Sequence, residues 1–170
     1  MCLGRLALTQ PARRLPAGKK LRAFDAGSRL GRGAGVILVV DDTSDTRDIY
    51  SLYLSSKGFK APTASDGLSG LDAAGRHQPD VIVMDLSMPG VDGIEATRRL
   101  KADPRTSHIP VLLLTAYPLH AVKGGALETG ADDLLTKPCL PDVLERRIRR
   151  LLARRRSDSR RHRGRSSGPR

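Results

Sequence analysis

Tryptophan is absent from these 170 residues, and aromatic residues of every kind make up only 3% of them. An interior with so little ring area has to be filled by aliphatic side chains, which the apolar fraction of 39% supplies. Only two cysteines occur, Cys2 and Cys139, so a disulfide framework or a cysteine-based zinc site is not expected. No apolar run approaches the roughly 18 residues of a membrane span, and the cytoplasm is the expected compartment.

Acids are scarce at both ends. Residues 1–35 hold eight Lys/Arg against one acid, and residues 154–170 again hold eight against one. Residues 36–153 hold fourteen against sixteen, so the formal charge of +12 belongs to the ends and not to the middle. Neither end carries a sustained apolar periodicity. Both are expected to be disordered basic extensions flanking one domain at residues 36–153. The first is arginine-rich as transit peptides are, but it lacks the apolar stretch of a signal peptide. Nucleic acid is conceivable as a partner only through these basic ends.

The middle alternates strands and helices. Val36–Val40 reads as a buried strand, and Thr43–Lys57 as a helix with Ile49, Leu52 and Tyr53 on its packing face and Gly58 as its stop. Phe59–Ala64 reads as a weaker strand, placed at a sheet edge because Pro62 removes a ladder donor. A glycine-broken helix near Ser65–Arg76, a strand Val81–Asp85, a helix near Gly93–Ala102 and a strand Val111–Thr115 follow. A helix near Leu119–Thr129, a short strand Asp133–Lys137 and a last helix from Pro141 complete the pattern, the last with Val143, Leu144, Ile148, Leu151 and Leu152 inward. Five β-α units in sequence predict an α/β fold, a five-stranded parallel sheet with five helices on its two faces. The glycines of LGRGAGV precede the first strand, so they are not a dinucleotide-binding loop.

In such sheets ligands bind beyond the C-terminal strand ends. The first strand ends in Asp41-Asp42, the third in Asp85, the fourth in Thr115-Ala116 and the fifth in Lys137-Pro138. Two carboxylates about 4 Å apart repel by about 4 kcal/mol at an effective dielectric of 20. A hard divalent cation, Mg²⁺ or Mn²⁺, relieves this through oxygen ligands and shares phosphate oxygens. Asp85 then qualifies as a nucleophile towards phosphorus, with Lys137 and the Thr115 hydroxyl, Ala116 beside it, positioned for the phosphoryl oxygens. Taken singly these residues have plainer readings: Asp41 and Asp42 as caps of the following helix, Lys137 as a surface lysine, Thr115 as a strand-end hydroxyl. His77, His108, His120 and His162 show no ligand spacing.

Asp41-Asp42, MDLSMPGVDG around Asp85, LLLTA ending in Thr115-Ala116 and GADDLLTKP ending in Lys137-Pro138 together resemble the receiver domain of bacterial two-component response regulators. The resemblance spans Val36 to Ala153. It implies a flavodoxin-like strand order 2-1-3-4-5, Asp85 as phosphoacceptor, and Mg²⁺ on Asp41, Asp42, Asp85 and the Ser87 backbone carbonyl. It also implies a cis Lys137-Pro138 bond. The donor would be a sensor histidine kinase or a histidine phosphotransfer protein, and the output an unidentified downstream protein reached through protein–protein contacts. No enzyme activity is implied beyond the domain's own phosphorylation and dephosphorylation. Two alternatives stay open: a degenerate receiver that binds partners unphosphorylated, and a haloacid-dehalogenase-type phosphatase. The latter requires a second acid where this chain has Ser87. The chain departs from the family at Leu134, where receivers usually carry Tyr or Phe. Signal transmission is therefore expected through the segment 119–129, weakened by Gly124-Gly125, with Tyr117 as a substitute aromatic.

Overall fold

Uninterrupted runs of β-branched and aliphatic residues suit strands covered on both faces. In a computed structural model of the protein, which describes residues 35–118, 124–125 and 128–164, three such runs form the centre of one sheet. These are β1 (Ile37–Val40), β3 (Val81–Asp85) and β4 (Val111–Thr115). β2 (Thr63–Ala64) and β5 (Asp133–Thr136) lie at its two edges. All pairings are parallel, and the order is β2-β1-β3-β4-β5. The helices are α1 (Ser44–Ser56), α2 (Gly67–His77), α3 (Gly93–Ala102) and α4 (Pro141–Gly164).

Side chains alternate across a strand, so each central strand feeds two cores. Leu38, Val40, Ile82, Met84 and Leu113 point to one side and meet Ala73 and Ala74 of α2 with Ala96 and Leu100 of α3. Ile37, Val39, Val83, Leu112 and Leu114 point to the other and meet Tyr50 and Leu54 of α1 with Leu144, Ile148, Leu151 and Leu152 of α4. Small residues on α2 permit close docking. A Cβ on Gly67 would stand 2.2 Å from the Val91 carbonyl, so the start of α2 can lie against the loop that follows β3 only because that position is glycine. Asp66 and Ser69 cap α2 reciprocally, and Asp92 caps α3 by accepting from the Glu95 amide at 2.7 Å.

Four expectations are corrected. On α1 the buried residues are Tyr50 and Leu54, whereas Ile49 and Leu52 are 56% and 75% exposed. Both sets have helical spacing, and packing against Phe59, Leu144 and Ile148 selects the first. The Phe59–Ala64 strand is shorter than read. Ile37 and Val39 donate to the Lys60 and Pro62 carbonyls, but Pro62 has no N–H to return, so regular pairing survives only at Thr63 and Ala64. β5 ends at Thr136 instead of Lys137. Finally, α4 continues to Gly164, through residues 154–164 that were expected to belong to a disordered extension. Arginine is a good helix former, and Arg155 reaches back to the Pro79 and Asp80 carbonyls and the Asp80 carboxylate. The other Asp80 oxygen accepts from the Val36 amide at 2.9 Å, so one carboxylate joins the start of β1 to the end of the packed part of α4. The segment 119–129 lies largely outside the described residues; Gly124, Gly125 and Glu128 within it are helical. Among the described residues no helix is long and apolar enough to cross a membrane.

Candidate phosphoacceptor and metal site

Parallel pairing in register brings the C-terminal ends of β1, β3 and β4 to one rim, where Val40 faces Met84 and Asp85 faces Leu114. The chain leaves each strand there with a polar residue. Carboxylate oxygens of Asp41, Asp42 and Asp85 lie within 4.8 Å of one another. Asp41 is 1% exposed and Asp85 5%, while Asp42 faces solvent. Lys137 follows β5 and places its Nζ 2.7 Å from Asp41 Oδ2 and 3.1 Å from Asp85 Oδ2. One ammonium thus holds together two buried carboxylates that would be costly to leave unpaired.

Asp41 also works on the backbone. Its Oδ1 accepts from the Thr43 amide at 2.9 Å, which turns the chain from β1 into α1. The expected capping role is not met, since α1 begins after Thr43 without a side-chain cap; Asp41 instead closes a turn with Oδ1 and binds Lys137 with Oδ2. Burial pushes the Asp85 carboxyl above its ordinary value, with the Asp41 charge adding to the effect and hydrogen bonds from Lys137 and the Ser87 amide opposing it. Burial alone would lower Lys137. Its hydrogen bonds to Asp41 and Asp85 outweigh that, and the ammonium is held above its ordinary value.

Thr115 is fully buried at the end of β4, in register with Thr136, and its Oγ1 accepts from the Tyr117 amide at 3.0 Å. Ala116 and Tyr117 are exposed. Leu134 is buried in the core between β5 and β4, opposite Leu113, away from the surface where a switch residue would be read. Gly124 and Gly125 are exposed, and a Cβ at either would meet nothing within 4 Å. Ser87 lies two residues beyond Asp85 and is exposed. The Lys137-Pro138 bond is cis.

Sequence reasoning missed three supporting residues. Arg47 on α1 donates to the Asp41 carbonyl at 2.7 Å. Tyr50 donates to the Cys139 carbonyl at 2.9 Å, tying α1 to the loop that carries Lys137. Burial, then the nearby Cys139, Asp41 and Asp85, push that phenol up to about 12, so it remains a donor at any physiological pH. Gly93 opens α3 against β3, where a Cβ would stand 2.2 Å from the Asp85 carbonyl. Only Gly93 had a visible signal, as the second residue of an Asp-Gly pair; Arg47 reaches a backbone carbonyl six residues back, which no side-chain pattern marks, and Tyr50 acts 89 residues away.

The donor set fits a hard cation. All three groups are carboxylates, two are buried, and the third is open to water, which is the mixture of protein and solvent oxygens that Mg²⁺ accepts.

Comparison with known proteins agrees with the geometry. Residues 37–149 match the family model described as response regulator receiver domain. The chain is 43% identical over 115 residues to the response regulator PleD of Caulobacter vibrioides, covering 68% of this chain and 25% of that protein. It is 42% identical over 118 residues to RpaA of Synechocystis, a DNA-binding dual master transcriptional regulator, covering 69% and 49%. The chain therefore spans about a quarter to a half of these relatives. Among solved structures, the Vibrio cholerae chemotaxis protein CheY4 superposes with a TM-score of 0.65 at 30% identity, covering 68% of this chain and 97% of that one. The receiver domain of the Pseudomonas aeruginosa sensor kinase PA1611, solved with magnesium in its active-site cleft, also gives 0.65 at 30% identity, covering 70% and 98%. The strand order, the acidic rim with its lysine and these likenesses agree: the chain belongs to the response regulator receiver domain family of two-component signalling.

Proposed function

We propose that this receiver works as a phosphorylation-dependent switch in which Asp85 is the phosphoacceptor. The observation that carries the reading is Lys137 Nζ, 3.1 Å from Asp85 and 2.7 Å from Asp41, within a cluster of three strand-end carboxylates. Asp41, Asp42, Asp85 and the Ser87 carbonyl would hold Mg²⁺ or Mn²⁺. That ion supplies positive charge to an otherwise anionic meeting of carboxylate and phosphate.

The remaining steps belong to the chain. An Asp85 oxygen forms the O–P bond as the P–N bond of a donor phosphohistidine breaks, and the departing imidazole takes up a proton. Lys137 turns from the carboxylates to a phosphoryl oxygen, remaining an ammonium throughout. The Thr115 hydroxyl exchanges its acceptor role towards the Tyr117 amide for donation to a second phosphoryl oxygen, with the Ala116 amide beside it. This rearrangement at the end of β4 is the start of the signal. The donor is a sensor histidine kinase or histidine phosphotransfer protein, and the output passes by surface contacts to a downstream protein. The domain's chemistry is confined to its own phosphorylation and dephosphorylation.

Acetyl phosphate with Mg²⁺ provides the test. Intact mass should show a single added phosphoryl group, lost in Asp85→Asn and abolished by a metal chelator. Equal uptake by Asp85→Asn would overturn the assignment.

A further inference from the structure

The last buried apolar residue of α4 is Leu152, and one turn later Arg155 still reaches back to the loop before β3. The helix nonetheless runs to Gly164. Between Pro141 and Gly164 lie ten arginines, three acids and no lysine. The rest of the domain uses both cations, with Lys57, Lys60 and Lys101 beside Arg47, Arg76 and Arg98. Arginine alone presents a planar fork that matches phosphate oxygens in pairs.

The positions of these arginines matter as much as their number. An α-helix advances about 100° per residue, and the packed side runs through Leu144, Ile148, Leu151, Leu152 and Arg155. Positions 146, 149, 150, 154, 156, 160 and 161 fall on the opposite side, and every one is arginine. By position they make two rows, 149-156-160 and 146-150-154-161. Between the rows lie only the small residues Ala153 and Ser157. Arg146, Arg149, Arg150 and Arg154 are exposed. The pair Arg146–Asp142 is a surface ion pair of the kind worth about 0–1 kcal/mol, so it releases readily to a stronger anion, whereas Arg149 is held by Glu145 and lies over the Phe59 ring.

Two cationic rows separated by a low strip suit an anion with two walls. A helix about 10–12 Å across with its side chains fits the roughly 12 Å major groove of B-form DNA, where a phosphate strand runs on either side. The major groove of an A-form RNA duplex is too narrow. A lipid surface is poorly served, because beyond Arg155 the helix holds no apolar side chain to insert. We propose that the arginine-bearing side of α4, from Arg146 to Arg161, is a docking surface for double-stranded DNA that grips phosphates without reading sequence.

The full chain, titrated into a labelled random-sequence duplex, tests this by fluorescence anisotropy. Binding is expected, with log affinity falling linearly in log salt. The combined substitution Arg154→Gln, Arg156→Gln, Arg160→Gln and Arg161→Gln should weaken it by at least about tenfold. The salt slope should fall by about 3 to 4, since each phosphate that an arginine neutralises contributes about 0.9. Mass uptake from acetyl phosphate, unchanged in that variant, shows that it folds. Asp85→Asn should bind the duplex like the unmodified chain, since the docking surface does not depend on the phosphoacceptor assignment. No binding at low salt, or equal binding by the four-fold variant, overturns the proposal; so does equal or tighter binding to an RNA duplex or to phosphatidylserine vesicles.

Discussion

Asp85 carries opposed demands. The proposed attack on phosphorus needs it ionised, yet burial favours its protonated form and the neighbouring Asp41 adds to that. The sign of the stability effect follows. With a folded pKa above the unfolded value, the native state holds more protons than the unfolded state between those two values. Stability therefore falls as pH rises through that window, and the loss persists at neutral pH. Asp85→Asn escapes it, and Lys137 keeps Asp41 as a partner. The expected outcome at pH 7 without metal is a higher melting temperature for Asp85→Asn than for the unmodified chain, with the difference shrinking as the pH is lowered towards the carboxylate range. Mg²⁺ should stabilise the unmodified chain more than the variant, because the variant lacks one ligand. Thermal scans across pH with and without Mg²⁺ measure both effects, and identical melting in all conditions would mean that Asp41, Asp42 and Asp85 do not share a site.

At the scale of elements, legibility followed how completely a segment was buried. β3, α3 and β4 match their sequence boundaries to the residue, because an unbroken apolar run or a clean Asp-Gly start admits one reading. α1 admitted two. Ile49, Leu52 and Tyr53 share a helical face as well as Tyr50 and Leu54 do, and what decides is packing against Phe59, Leu144 and Ile148, with the Tyr50 hydroxyl meeting the Cys139 carbonyl 89 residues away. The strand-end residues Asp41, Asp85, Thr115 and Lys137 were legible for a related reason, since polar groups at the end of apolar strands have little structural purpose there. Arg47, which binds a backbone carbonyl from a neighbouring element, was not. The helical positions Gly124 and Gly125 yield an element-scale prediction. Each costs a helix about 1 kcal/mol relative to alanine, and a Cβ at either would meet nothing. Gly124→Ala with Gly125→Ala should raise thermal stability and leave the acetyl phosphate reaction in place. If loosening of segment 119–129 transmits the signal, the double variant should also show a smaller beryllofluoride-induced change in hydrogen exchange there; an undiminished change would remove that segment from the route.

For the molecule as a whole, charge and chemistry occupy different regions. The residues around the site sum to near neutrality, whereas residues 1–35 and 154–170 carry the excess of arginine and lysine. Removing residues 1–34 and 157–170 keeps Gly35, whose carbonyl receives the Lys60 amide, and keeps Arg155 on Asp80. Phosphorylation by acetyl phosphate should proceed in the shortened chain at an unchanged yield by intact mass. A large loss would show that one of the removed segments supports the strand-end rim.

Asp80 has a further meaning at this scale. By accepting the Val36 amide on one oxygen and Arg155 on the other, it brings the start of β1 and the end of the packed part of α4 to the N-terminal edge of the sheet, while the Asp41, Asp42 and Asp85 carboxylates stand at the opposite edge. A unit with adjoining entrance and exit is transplantable: it plugs into a loop of an unrelated host through neighbouring attachment points without stretching either structure. Growth of the polypeptide at either attachment point adds mass behind the sheet and leaves the Asp85 rim uncovered. The carboxylate of Asp80 is in this sense a socket, and it makes the receiver a part that can be moved between larger machines.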